Sequence, residues 1–347
     1  MPLTRRADKP GRAHTLVLRQ DSQLDRARMP PRASRSEVPT TPLPPPLVRY
    51  DDVMLNVCPT GPILTKDQTP HVPLQPQEVI DDACGSIEAG ASMLHLHARD
   101  RAGRPTYRAD VYEKLILGVR RHFPDAVLCV SCIGNDFPDL QRRAEVLELT
   151  GASRPDMASL ATTSFDLPSG ANPNPPDVVV ALAARMAERG IRPEVECFDS
   201  GMVSAAAGLL RRGILRPPLY VNLLLGARTS CPATVRHLAA LVADLPAGAT
   251  WAAAGLGLYQ LPMNTLALAM GGHCRVGLED NIYEDFSRRR LATNQRLVRR
   301  LANLAQSFGR PVASPKRARE LLGLPAPVRT PGNPGAATGG RDRTGAA

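Results

Sequence analysis

The sequence lacks the features of a membrane or secreted protein. Its 347 residues contain no apolar run of roughly 18 residues, the length that a membrane-spanning helix requires. The first thirty residues mix Arg, Asp and Pro and contain no apolar block like that of a secretory signal peptide. The seven cysteines are odd in number and scattered, which is typical of reduced thiols and not of a disulfide framework. We therefore expect a cytoplasmic protein with no membrane partner.

The net charge of +10 is concentrated at the two ends of the chain. Residues 1–49 contain ten Lys or Arg against four Asp or Glu, and residues 326–347 contain three Arg against one Asp. Both ends are rich in Pro or Gly and lack aromatic residues, so we expect solvated tails and no nucleic-acid partner. The sequence predicts a disordered basic extension at 1–49, a folded domain at 50–324 and a disordered tail at 325–347. A transit peptide is the alternative for the first segment, although its acidic residues disfavour this.

Short apolar segments alternate with longer amphipathic segments throughout the folded domain. This alternation is typical of repeated βα units and a parallel sheet. Eight segments are predicted to be strands, each followed by a predicted helix. The strands are predicted at 53–58, 92–97, 126–132, 157–160, 193–198, 219–225, 250–255 and 274–278, and the helices at 76–90, 108–122, 139–149, 176–190, 202–213, 232–244, 262–270 and 290–308.

Eight βα units in a domain of about 250 residues predict a (β/α)8 TIM barrel. The alternative is a doubly wound open sheet, which commonly carries a Gly-rich phosphate loop directly after its first strand. The segment at that position, Cys58-Pro-Thr-Gly-Pro-Ile63, does not match G-x-G-x-x-G. We therefore favour the barrel, whose active site would lie at the C-terminal ends of its strands.

Three candidate metal ligands follow the second and eighth predicted strands. His95 and His97 are two residues apart on one strand, so their side chains face the same side. Glu279 follows the eighth strand, and closure of the barrel brings its end near that of the second. Two imidazoles and a carboxylate form a known catalytic ligand set, which predicts a site for Zn²⁺ or another divalent ion. The alternative is a hydrogen-bonded core histidine, with Glu279 capping the following segment.

Charged residues are also expected at this end of the barrel. A buried Arg275 requires an anionic partner, which would be either a substrate carboxylate or Asp280. Glu194 and Glu196 share one face of the fifth strand. Glu196 lies nearer the strand end and is the stronger candidate for a role in the site, whereas Glu194 is expected to form a salt bridge.

Two serines end neighbouring predicted strands. The hydroxyls of Ser131 and Ser159 would position a ligand, or would simply be packed with their hydrogen bonds satisfied. The sequence contains no G-x-S-x-G elbow and no convincing Cys and His pair. A covalent acyl-enzyme is therefore not favoured.

These residues belong to longer motifs within residues 50–324. The motifs are Thr60-Gly61, Thr69-Pro-His-Val-Pro73, Glu88-Ala-Gly-Ala91, His95-Leu-His-Ala-Arg-Asp100, Pro193-Glu-Val-Glu196, Gly271-Gly-His-Cys-Arg-Val-Gly-Leu-Glu-Asp-Asn281 and Val312-Ala-Ser-Pro-Lys-Arg-Ala-Arg-Glu-Leu-Leu322. Each motif is weak alone, but their combination is specific. Together they resemble one family, the β-keto acid cleavage enzymes, over roughly residues 50–324.

The resemblance implies a TIM barrel that binds one Zn²⁺ and condenses a β-keto acid with acetyl-CoA, giving acetoacetate and a new acyl-CoA. It also implies a homotetramer. Ser159 stands where the family's named member, 3-keto-5-aminohexanoate cleavage enzyme, has Thr. The resemblance implies metal ligands His95, His97 and Glu279; catalytic residues Asp280, Arg275 and Glu196; and substrate-binding residues Ser131, Ser159, Thr60 and Gly61.

One difference from the named member concerns the choice of substrate. After Thr60-Gly61 that enzyme has Ala and then Glu, a carboxylate suited to an ammonium group, whereas this chain has Pro62 and Ile63. We therefore expect an amino-substituted β-keto acid to be a poor substrate and a neutral or anionic one to be preferred. Lys66 or Arg228 would contact an anionic end, although Lys66 is alternatively a solvated loop residue.

Two other functional classes are alternatives to this interpretation. The first is a metal-dependent barrel lyase or hydrolase that acts without CoA. The second is a non-catalytic binding protein, which the intact set of candidate ligands and charged residues disfavours. If product formation requires acetyl-CoA, the protein is a β-keto acid cleavage enzyme and not a lyase or hydrolase that acts without CoA.

Overall fold

The computed structural model describes residues 51–328. The strands in this part of the chain are β1 (Leu55–Val57), β2 (Met93–Leu96), β3 (Val127–Val130), β4 (Met157–Ala161), β5 (Phe165–Leu167), β6 (Gly170–Asn172), β7 (Arg192–Cys197), β8 (Tyr220–Leu225), β9 (Thr250–Gly255) and β10 (His273–Val276). Eight of them are parallel and close into a barrel, in the order β1-β10-β9-β8-β7-β4-β3-β2, and β5 and β6 form a separate antiparallel hairpin.

Helices follow the barrel strands. They are α1 (Pro76–Glu88), α2 (Ala109–His122), α3 (Leu140–Ala144), α4 (Pro176–Glu188), α5 (Ser200–Arg211), α6 (Val235–Ala243), α7 (Gln260–Ala269), α8 (Asn294–Ser307) and α9 (Pro315–Leu321). The predicted (β/α)8 TIM barrel is therefore confirmed, and the open-sheet alternative is wrong.

Local sequence accounts for where several of these elements begin. Asp199, Thr234 and Thr293 directly precede α5, α6 and α8, and each side chain accepts a backbone N–H from the first turn of its helix. A cap of this kind stabilises a helix by about 1 kcal/mol. The strand β8 is buried along its whole length, as expected for a strand of a parallel barrel that helices cover.

Three parts of the fold differ from the prediction. The helix predicted at 139–149 is the shorter α3 followed by a 3-10 turn at Glu145–Glu148. The hairpin of β5 and β6 was not predicted, because strands of three residues are too short to show a period of two. The helix α9 was not predicted either, although Ser314 caps it and Pro315 occupies its first position.

The helix α9 packs against the N-terminal end of the barrel. Ala318 and Leu322 form one apolar cluster with Met93, Val127 and Met157, the first residues of three barrel strands. That end is therefore filled by side chains, and the opposite end, where the strands finish, is available for chemistry.

Three sequence expectations concern the chain as a whole. No helix within residues 51–328 has both the length and the apolar character that crossing a membrane requires. All seven cysteines lie in the described region and are free. The predicted tail at 1–49 lies outside the described residues. The predicted tail at 325–347 lies outside them from residue 329 onward.

Candidate active site

The three candidate metal ligands converge at the C-terminal end of the barrel. Nε2 of His95 lies 3.2 Å from Nε2 of His97, and Nε2 of His97 lies 3.4 Å from Oε1 of Glu279. The three donor atoms all lie within 4.8 Å of one another. They meet because β1 lies between β2 and β10 in the closed barrel, so that the ends of these strands are neighbours.

The spacing of these donor atoms fits one divalent cation. Two atoms bound at about 2.0–2.2 Å to a tetrahedral zinc ion lie roughly 3.3 Å apart, close to the two distances above. Oε2 of Glu279 is buried without a hydrogen-bond partner, and a cation would satisfy it. Three protein ligands would also leave the open position that a catalytic metal site needs.

Glu194 holds His95 in a defined orientation. Oε2 of Glu194 lies 2.5 Å from Nδ1 of His95, and its Oε1 accepts hydrogen bonds from the side-chain amides of Asn56 at 2.6 Å and Asn222 at 2.8 Å. Burial opposes the charge on Glu194, but the attraction and hydrogen bond of His95, together with Arg275 and Cys129, outweigh burial and lower the pKa of Glu194 to about 2. A histidine that ligates a metal commonly donates its other ring N–H to a carboxylate in this way. The contact directs Nε2 of His95 toward His97.

A second group of possible metal donors consists of His95, Cys129 and Glu194. The 2.5 Å between His95 Nδ1 and Glu194 Oε2 is a hydrogen-bond distance and is too short for two ligands of one ion. Burial raises the pKa of Cys129 well above its ordinary value, so the thiol keeps its proton, and it donates to Glu194 Oε2 at 3.2 Å. This group therefore supports the site and does not itself fit a metal.

Arg275 links three carboxylates beside the candidate metal ligands. This residue is only 2% exposed, and its guanidinium lies 3.0 Å from Glu196 Oε1, 2.9 Å from Glu279 Oε1 and 3.1 Å from Asp280 Oδ2. Of the two anionic partners considered from the sequence, the structure therefore shows Asp280. Its side-chain nitrogens make four hydrogen bonds to these three carboxylates, so its charge is already balanced within the protein.

The environment makes two of these carboxyl groups weaker acids than usual. Burial raises the pKa of Glu196 to about 7, and Arg275 opposes the shift. Burial also raises the pKa of Asp280, again against the attraction of Arg275. A raised pKa brings a carboxyl group closer to the range in which it transfers protons at neutral pH.

Gly61 gives Glu279 the space that its side chain occupies. Its φ of +64° lies in the left-handed region that glycine favours, and a Cβ at this position would lie 2.5 Å from Glu279 Cγ. The carbonyl of Gly61 accepts hydrogen bonds from Arg99 Nε at 3.0 Å and Nη2 at 2.5 Å, which fixes the loop. The neighbouring Thr60 is buried, and its hydroxyl has no hydrogen-bond partner.

A cavity of about 260 Å³ opens at this end of the barrel. Its polar lining is formed by the two histidines, by Arg275 with its three carboxylate partners, and by Ser131 and Gly61. Thr60 and Ser159 are not among the residues that line it. Most of the other lining residues are apolar. The cavity therefore places a bound molecule in contact with most of the predicted site residues.

The two predicted serines have different positions. Ser131 lines the cavity, and its hydroxyl accepts the backbone N–H of Ile133 at 3.3 Å. The hydroxyl of Ser159 accepts the backbone N–H of Cys132 at 3.0 Å. Ser159 therefore fixes the chain where β3 ends, and any effect on a ligand would pass through that backbone.

Neither candidate cation for an anionic substrate lines the cavity. Lys66 has a side chain that is 43% exposed and pairs with Glu78 at 3.0 Å, which favours its interpretation as a loop residue. Arg228 is exposed and also lies outside the cavity lining.

Sequence reasoning missed three contributions to the site. The even spacing of Glu194 and Glu196 indicated a shared face, but nothing local indicated that Glu194 reaches His95. Arg99 lies inside a motif used for the resemblance, and its burial against Gly61 follows only from the fold. The third is the hairpin of β5 and β6, which supplies Phe165 and Leu167 to the cavity.

The comparisons with known proteins agree on one family. The chain matches the beta-keto acid cleavage enzyme family over residues 52–324. It is 38% identical over 277 residues to 3-oxoadipate:acetyl-CoA acetyltransferase of Cupriavidus necator, covering 79% of this chain and 95% of that protein. It is 36% identical over 271 residues to 3-keto-5-aminohexanoate cleavage enzyme of Fusobacterium nucleatum, covering 76% of this chain and 95% of that protein.

A solved structure shares the fold. It is the ternary complex of ObcA with a C4-CoA adduct and oxalate, with a TM-score of 0.67 and 22% identity over 74% of this chain and 68% of that chain. This likeness supports the barrel alone, whereas the two sequence relatives and the family match extend over the whole domain. The chain therefore belongs to the β-keto acid cleavage enzyme family and is an acyltransferase.

Proposed function

We propose that the protein condenses a β-keto acid with acetyl-CoA, giving acetoacetate and a new acyl-CoA, and that the reaction uses one divalent cation, with Zn²⁺ as first choice. The observation that carries this proposal is the convergence of His95, His97 and Glu279 beside the pair of Asp280 and Arg275. The named activities of the two sequence relatives support the same reaction class.

The residues around the cavity have distinct tasks in this reaction. A divalent cation supplies Lewis-acid polarisation of the keto oxygen, which is worth several kcal/mol where negative charge develops. Glu194 keeps His95 in the orientation that such a cation needs. Asp280, which Arg275 holds in place, removes a proton from the carbon between the keto and carboxylate groups of the β-keto acid, so that this carbon adds to the thioester carbonyl of acetyl-CoA and CoA leaves as a thiolate. The thiolate then adds to the original keto carbon. Retro-Claisen cleavage of the bond between these two carbons of the β-keto acid gives the new acyl-CoA, and the carbanion that leaves takes the proton back from Asp280 and becomes acetoacetate.

The other predicted site residues act at different distances from the substrate. We assign Ser131 and Glu196 to direct contact, because both line the cavity. Gly61 also lines it and shapes the loop after β1. Thr60 and Ser159 would act through the backbone beside the cavity, since neither lines it.

We also propose that the substrate carries no amino group. Pro62 and Ile63 both line the cavity, at the positions where the family's named member has Ala and Glu. An ammonium group near Ile63 would therefore lose its interactions with water and gain no carboxylate in return. A β-keto acid that lacks an ammonium group does not need this carboxylate.

The direct test is an assay of acetoacetate with the purified protein, a β-keto acid and acetyl-CoA. Acetoacetate that forms only when acetyl-CoA and metal are present supports the proposal. Turnover without acetyl-CoA would favour the alternative of a lyase or hydrolase. The variant Glu279→Ala is expected to lose metal and turnover together, and survival of both would contradict the ligand assignment.

We propose a folded domain at 50–324, a homotetramer and a cytoplasmic location, all from the resemblance and the sequence. Light scattering on the full chain tests the tetramer, which predicts a mass four times the 37.3 kDa of one chain. A mass equal to that of one chain would contradict it.

A further inference from the structure

Most of the side chains that line the cavity beside the candidate metal ligands are apolar. Apart from the metal ligands, Ser131 and Arg275 with its carboxylate partners, the lining side chains are apolar, among them Ile63, Phe165, Leu167, Phe198 and Leu224. These five residues come from four different loops and strands, so the apolar surface is not a single patch. A substrate held beside the metal ligands would place its remaining chain against these apolar side chains.

Among the described residues, the cavity lining contains no Lys and no Arg without carboxylate partners. Arg275 is the one Arg there, and three carboxylates of the protein already balance its charge. Lys66 and Arg228 lie outside the lining. Glu196 adds a carboxyl group of the protein to the same cavity. A second carboxylate on a substrate would therefore be desolvated without a partner, at a high cost in free energy.

The hairpin of β5 and β6 supplies part of the apolar lining of the cavity. Phe165 stacks on Phe198, with ring centroids 4.0 Å apart and planes 24° apart, and Leu167 with the adjacent Pro168 also lines the cavity. The hydroxyl of Thr229 donates to the carbonyl of Asp166 at 3.0 Å and so joins the hairpin to the loop after β8. Apolar side chains held in place in this way offer no hydrogen bond to a charged group, which strengthens the selection against charge.

The volume limits the length of the substrate. At about 260 Å³ the cavity lies below the roughly 300–1,000 Å³ typical of sites for drug-sized ligands. A short β-keto acid fits this volume better than a long acyl chain.

We propose that the substrate is a β-keto acid whose chain beyond the keto group is short, apolar and uncharged, and that Ile63, Leu167 and the stacked pair of Phe165 and Phe198 select it. This inference rests on the proposed function and narrows it. It disfavours both a terminal carboxylate and an amino group, which are the groups present in the substrates for which the two sequence relatives are named.

Three β-keto acids of six carbons test this selection on the metal-loaded full chain. They are 3-oxohexanoate, 3-oxoadipate and 3-keto-5-aminohexanoate, and the readout is kcat/KM for acetoacetate formation with acetyl-CoA. We expect 3-oxohexanoate to exceed the other two by about a hundredfold or more, because only its chain end is uncharged. A value for 3-oxoadipate or for the amino substrate that equals or exceeds it overturns the inference while supporting the proposed function. No acetoacetate from any of the three refutes the proposed function itself.

Calorimetric binding of hexanoate and adipate tests the cavity without turnover. Hexanoate is expected to bind at least about tenfold more tightly, since adipate must bury a second carboxylate. Equal or tighter binding of adipate overturns the inference even if no substrate is found.

Leu167→Arg should reverse the selection, because it adds a cation to the apolar lining. We expect the ratio of kcat/KM for 3-oxoadipate to that for 3-oxohexanoate to rise by about tenfold to a hundredfold. Leu140→Arg is the matched control, since Leu140 is 36% exposed on α3 and outside the cavity, and it should leave the ratio unchanged. An unchanged ratio in a folded Leu167→Arg protein overturns the inference. If that variant does not fold, Ile63→Arg replaces it with the same expected outcome.

Discussion

Replacing Gly61 by Ala should displace Glu279 and weaken metal binding. The added Cβ would lie 2.5 Å from Cγ, 3.0 Å from Cβ and 3.2 Å from Cδ of Glu279, whereas ordinary van der Waals contact begins at 3.4 Å. The shortfall from 3.4 to 2.5 Å means that the Glu279 side chain must move by almost 1 Å. Metal–ligand distances tolerate only about ±0.2 Å. We therefore expect metal affinity to fall by about tenfold to a hundredfold, or roughly 1.4–2.8 kcal/mol.

Gly151→Ala is the matched control for this prediction. Gly151 has a φ of +60°, close to the +64° of Gly61, and a Cβ there would meet no atom within 4 Å. Both variants therefore incur the backbone strain of a left-handed alanine, about 1 kcal/mol of unfolding free energy. Only Gly61→Ala should lose metal affinity, measured by competition with a chromophoric zinc chelator. Wild-type metal affinity in Gly61→Ala would refute the reasoning.

Three further predictions address charge inside the barrel. Glu194→Gln should lower metal affinity by about tenfold to a hundredfold in the same assay, because it weakens the hydrogen bond that orients His95; unchanged affinity would contradict that role. Arg275→Met should lower the unfolding free energy by about 3–5 kcal/mol in urea titrations, because three buried carboxylates lose their counter-charge, and a loss below about 1 kcal/mol would contradict this. Burial lowers the pKa of His273 to about 3, and its Nδ1 accepts the backbone N–H of Met54. Because unfolded histidine binds a proton near pH 6.5, stability should fall below that pH, by about 2 kcal/mol at pH 5; His273→Asn should keep the acceptor and remove this dependence.

The barrel could be predicted because its strands are buried on both faces and its helices on one. This burial is visible in short stretches of sequence: β8 is an apolar run, and the helices before and after it are amphipathic. The position of His95 and His97 was predictable for the same reason, since alternation along a strand fixes which side chains share a face.

Partners far apart in the sequence were not predictable in this way. His95 and Glu194 are 99 residues apart, and the choice between Glu194 and Glu196 depends on the depth of each side chain in the barrel. Likewise, the sequence indicated a partner for Arg275 but not that three carboxylates would share it.

The apolar lining of the cavity could not be predicted from the sequence either. The hairpin of β5 and β6 has strands of three residues, and the hydrogen bond that joins it to the loop after β8 comes from Thr229, 63 residues from Asp166. Phe165 and Phe198 stack on one another although they lie on separate elements, so no local sequence pattern predicts this contact.

X-ray absorption spectroscopy of the metal-loaded full chain tests the central claim most directly. We predict one ion per chain, with only nitrogen and oxygen neighbours at about 2.0–2.2 Å, as His95, His97 and Glu279 would provide. A sulfur neighbour at about 2.3 Å would place the ion at Cys129 and Glu194 instead, and it would contradict the assignment.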